Sequence, residues 1–68
     1  MEPGESELAM VRRHVEEGRR HLRSQHAVLA HLLELGADTR VAEELLAEFE
    51  RTLEEHLNHL NRLLGLTE

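Results

Sequence analysis

The chain has 68 residues, 40% of them hydrophobic and 32% charged, a single aromatic residue (Phe49), no cysteine, and a formal net charge of −6. That length allows one domain at most, residues 1–68, near the lower limit for folding alone. The acidic balance disfavours nucleic acid and anionic membrane as partners, and the lack of cysteine excludes disulfide and thiolate chemistry.

The first residues, "MEPGESE", are acidic and carry no apolar leader core, and no stretch approaches the roughly 20 apolar residues that span a bilayer. A soluble, cytoplasmic chain with no membrane partner is the expectation. Glu2–Gly4 reads as a frayed start. A first helix is expected over about residues 5–35. Ser6 can cap it, and Glu5 and Glu7 suit the positive end of the helix dipole. Gly36 closes it from the left-handed conformation that glycine adopts cheaply.

"LGADT", Leu35–Thr39, is the only internal turn signal, placing a turn at 36–38. Asp38 is expected to cap a second helix over about residues 39–64, with Gly65 ending it. No stretch alternates with period two, so no strand competes. The fold class expected is all-α: an antiparallel two-helix hairpin that dimerises into a four-helix bundle.

Apolar spacing sets the expected packing. In the first helix Leu8, Val11, Val15, Gly18, Leu22, Gln25, Leu29 and Leu32 follow steps of three and four. In the second, Ala42, Leu46, Phe49, Leu53, His56, Leu60 and Leu63 do the same. Helices joined by so short a turn lie antiparallel, and reflection about Ala37 gives facing residues whose numbers sum to about 74. That register sets Leu32 against Ala42, Val11 against Leu63, a buried Phe49 against Gln25, and Gly18 against His56. Glycine in mid-helix costs about 1 kcal/mol relative to alanine. Gly18 is then either a packing glycine that leaves room for the His56 ring or a tolerated one.

The leucines spread wider than one seam. Val28, Leu33 and Leu35 flank the first helix's stripe, and Leu45, Leu57 and Leu64 flank the second's. A stripe that wide signals a further neighbour, and a homodimer supplies one. The expected interface draws on Leu8, Val11, Val15, Gly18, Leu22, Leu29, Leu32, Leu45, Leu46, Phe49, Leu53, Leu57, Leu60 and Leu64.

Four of the six histidines form a candidate site. In the expected register His14 lies beside His59, and His56 sits between His14 and His21, with Glu17 and Glu55 close by. Neutral imidazole suits Zn²⁺, Ni²⁺ or Fe²⁺, so a divalent transition metal on His14, His21, His56 and His59 is one reading, although the Glu-x-x-His motif of di-iron bundles is absent. A pH-sensitive interface is another, because imidazole titrates near neutrality. Histidines without a special role are the third, and His26 and His31 lie away from the group. No nucleophile–base–orienter triad is legible, so no enzyme and no cofactor is expected.

Arg12, Arg13, Arg19, Arg20 and Arg23 crowd the outer side of the first helix, while the second carries Glu43, Glu44, Glu48, Glu50, Glu54 and Glu55. Arginine forks suit carboxylate or phosphate. The cluster is either an adaptor face for an acidic partner or a solvated face partly neutralised by Glu16 and Glu17. It lacks the interleaved aromatics that stack nucleic-acid bases.

The run from Arg12 to His59, with "RHVEEGRRH", the "GADT" turn and "LLAEFERTLEEH", resembles a group of short helical-hairpin proteins of proteobacteria that carry no established activity. The resemblance implies a helical hairpin in a bacterial cytoplasm and draws attention to His14, Gly18, His21, Phe49 and His56. It implies no substrate. The function expected is a small homo-oligomeric interaction module, regulatory rather than catalytic, whose protein partners the sequence leaves open.

Overall fold

The structure is a computed structural model, described over residues 4–65. The expected frayed start at Glu2 and Pro3 and the last three residues lie outside that range. Two helices make up the fold, α1 (Glu7–Leu35) and α2 (Arg40–Leu63), packed antiparallel, and no strand occurs among the described residues. No helix among them is long and apolar enough to cross a membrane.

Local chemistry explains each boundary. Ser6 is extended, and its Oγ accepts a hydrogen bond from the Ala9 N–H at 3.1 Å, satisfying one of the free donors of the first turn. At the other end Gly36 takes φ 67°, its N–H donates to the Leu33 carbonyl, and the Ala37 N–H donates to the Leu32 carbonyl. Those two bonds are a complete Schellman closure. Gly65 ends α2 in the same left-handed conformation, its N–H reaching the Arg62 carbonyl.

The start of α2 differs from the expected cap. Thr39 is the N-cap, because its carbonyl accepts the Glu43 N–H, and its side chain caps nothing. Asp38 stands one position earlier. Its Oδ1 accepts the Arg40 N–H at 3.0 Å, and both carboxylate oxygens accept from the Arg40 guanidinium. The Asp38 carboxylate thus accepts a free N–H of the first turn, as expected, but from one position before the N-cap.

The helix register also differs. His14 meets His56, His21 meets Phe49 and Gly18 meets Leu53, pairs whose numbers sum to 70 or 71. The hairpin has slid by about one helical turn from simple reflection. The cause is the connection: residues 36–39 are not helical, so they cross to the second axis and also run back along the first. The end of α1 therefore overhangs the start of α2. Phe49, expected to be buried against Gln25, is half-buried against His21 instead. His56 is not the residue that Gly18 accommodates.

The core is small. Among the described residues Val11, Val15, Ala42 and Gln25 are the buried ones, and of these Val11 is fully enclosed. Gln25 sits there because its amide is satisfied: Nε2 donates to the Ala42 carbonyl at 2.9 Å, a cross-helix bond out of water's reach. The seam leucines, including Leu22, Leu29, Leu32, Leu46, Leu53 and Leu60, are only half-buried. The body is one helix thick, 13 Å in its shortest dimension, so each helix covers one flank of its neighbour and leaves the rest open.

Candidate functional site

The histidine groove

One side of the hairpin carries a groove of about 190 Å³ lined by His14, Glu17, Gly18, His21, Phe49, Thr52 and His56. Helical periodicity builds it. His14 and His21 are seven residues apart on α1, and Phe49 and His56 are seven apart on α2, so each pair shares a helix face. The antiparallel packing then places them in two cross-helix rungs. His14 and His56 have ring centroids 4.9 Å apart, tilted by 46°, and His21 and Phe49 are 5.4 Å apart, tilted by 39°. Gly18 lies between the rungs and floors the groove. An added methyl there would meet Leu53 Cδ1 at 3.1 Å, so the neighbour across the seam is a leucine, at the free end of its side chain.

The four expected metal ligands do not converge. His14 and His56 come together and His21 stacks on Phe49. His59 lies outside the groove, its Nε2 2.9 Å from Glu7 Oε1. Among the described residues no group of three or more histidines or carboxylates is placed to hold a metal ion. The sequence also missed the His59–Glu7 link, which the one-turn slide creates by bringing the end of α2 level with the start of α1. His26 and His31 are exposed and apart from the others.

The charges around the groove are paired. Arg13 binds Glu5 Oε1 at 2.9 Å and Glu17 Oε1 at 3.3 Å. The hydrogen bond from Arg13 holds the Glu5 carboxyl below its ordinary value of 4.5, and Glu5 in turn raises the guanidinium. Asp38 is lowered in the same way, first by the Arg40 guanidinium and then by the Arg40 N–H. Arg51 bonds Glu48 at 2.9 Å on α2. Arg12, Arg19, Arg20 and Arg23 are solvent-exposed, as expected of the arginine side of α1.

The expected interface residues divide by exposure. Val11 and Val15 are buried within the hairpin. Leu8, Gly18, Phe49 and Leu57 join the half-buried seam leucines, while Leu45 and Leu64 are exposed. Leu45 also lines an open depression of about 500 Å³ with Val41, Glu44, Ala47, Glu48 and Arg51. No protein-family model, curated protein or solved structure matches this chain.

Proposed function

We propose that the chain is a small homodimeric α-helical interaction module without catalysis, in which two hairpins stack as a four-helix bundle. The observation that carries this reading is the missing layer. A stable domain packs two layers around a core, and this hairpin is a single layer with four buried residues among those described. Its accessible surface is 5364 Å². A compact protein of 7.9 kDa exposes about 4,400 Å². The difference, roughly 950 Å², is close to the ~800 Å² that one partner buries in an interface of standard size.

A hairpin that owes its stability to a second copy melts in a concentration-dependent way. The test is thermal unfolding over a hundredfold range of protein concentration. The melting temperature is expected to rise with concentration, and one that stays constant overturns the dimer. A second reading, a pH-responsive bundle, is favoured by the His14–His56 rung, which sets two titratable rings in contact.

A further inference from the structure

The two sides of the hairpin are chemically unlike. On α1, His14, His21, Val28 and Leu35 follow one another at seven-residue steps, and on α2 Phe49, His56 and Leu63 do so. Residues so spaced share a face, and the two rungs put both faces on the same side of the hairpin. Val41 and Leu45 continue this side toward the turn, eight and four residues before Phe49. Its apolar members are open to solvent: Val28 is 48% exposed, Leu35 65% and Val41 77%. Of the carboxylates at its border, Glu17 is held by Arg13 and Glu48 by Arg51, Glu7 lies 2.9 Å from His59 Nε2, and Glu44 stands beside Val41 and Leu45.

The other side is charged. Arg12, Arg19 and Arg23 lie nearly opposite the histidines on α1, and Glu43, Glu50 and Glu54 lie away from Phe49 and His56 on α2, all of them exposed. Two exposed leucines, Leu33 and Leu64, belong to that side. A chain of net charge −6 pairs with its own copy most easily through the face where its charges are fewest.

We propose that the face bearing His14, His21 and His56 is the surface on which a second copy of this chain docks, so that protonating these imidazoles weakens the pairing. The proposal rests on the dimer reading above and specifies its face and its control. Isologous docking about a two-fold axis parallel to the helices brings the histidine level of one hairpin to the histidine level of its partner. The groups that face the rings decide the sign. From α1 these are Arg13 and Glu17, and just before it Glu5, with both carboxylates engaged by Arg13; on α2 they are the neighbouring imidazoles and Glu55, which precedes His56. Glu17 is the one carboxylate lining the groove, and Arg13 already engages it, so a proton taken up on these rings is a charge covered by the partner with little compensation. His59 lies outside this groove, its Nε2 2.9 Å from Glu7 Oε1 of the same chain.

Analytical ultracentrifugation of the full chain tests this. Wild-type protein at pH 7.5 is expected to dimerise, and its dissociation constant is expected to rise at least about tenfold by pH 5.5, through the range where imidazole titrates. Leu45→Glu is expected to give monomer, the milder Leu45→Ala to weaken the dimer about fivefold or more with helicity retained, and Leu33→Glu to leave the dimer intact. His14→Gln with His56→Gln is expected to flatten the pH response. A dimer that survives Leu45→Glu but is lost with Leu33→Glu overturns the face while leaving the dimer standing. A pH-independent dissociation constant overturns the proton control. Wild-type protein that is monomeric at every pH overturns the dimer reading itself.

Discussion

Gly18 and Leu53 face each other across the hairpin seam so closely that a methyl group on the glycine would stand 3.1 Å from Leu53 Cδ1 and 3.6 Å from its Cβ. Only the first distance is tight, and it involves the free end of a half-buried side chain that can rotate by a few tenths of an ångström. Gly18→Ala gains up to about 1 kcal/mol of helix propensity. It is therefore expected to be neutral or slightly stabilising in urea unfolding. A double-mutant cycle should show coupling to Leu53→Ala and additivity with His56→Ala. A loss of more than about 1 kcal/mol would mean that the seam cannot yield there.

Gln25 gives a prediction about the core. Removing its amide takes away the cross-helix bond to Ala42 and opens space in the smallest part of the interior. Gln25→Ala is expected to cost about 1–3 kcal/mol. Gln25→Leu should cost less, because it keeps the volume and the Ala42 carbonyl retains its helical partner. Equal stability of wild type and Gln25→Ala would show that the bond holds nothing together.

The pH dependence at the acid end follows from Glu5 and Asp38. Both carboxyls are depressed in the folded chain, Glu5 by the Arg13 hydrogen bond and Asp38 by the Arg40 guanidinium. A depressed carboxyl stabilises the fold above its unfolded value, 4.5 for Glu5 and 3.8 for Asp38, and that contribution disappears as pH falls through the folded value. In Arg13→Gln the NMR titration midpoint of Glu5 is expected to move up toward 4.5, with Asp38 unchanged. A Glu5 midpoint indifferent to Arg13 would remove the pair from the fold's electrostatics.

The element boundaries were legible in the sequence because their causes are local. Ser6, Gly36 and Gly65 each act within a few residues of themselves, and all three do what their chemistry implies. The register was not legible, for a reason built into the pattern. A seam with steps of three and four is nearly unchanged by a slide of three or four residues. Gly18 thus finds a seam partner in His56 or in Leu53 with equal ease. The choice is made by the path of residues 36–39, which no periodicity records. The histidines inherit that ambiguity. His14, His21 and His56 line one groove, whereas His59 lies outside it once the hairpin slides.

Sedimentation equilibrium at micromolar concentration and neutral pH measures the missing second layer directly. The mass expected of the proposed dimer is about twice that of the 7.9 kDa chain. A mass of 7.9 kDa at every concentration, from protein that remains helical, would contradict the four-helix bundle.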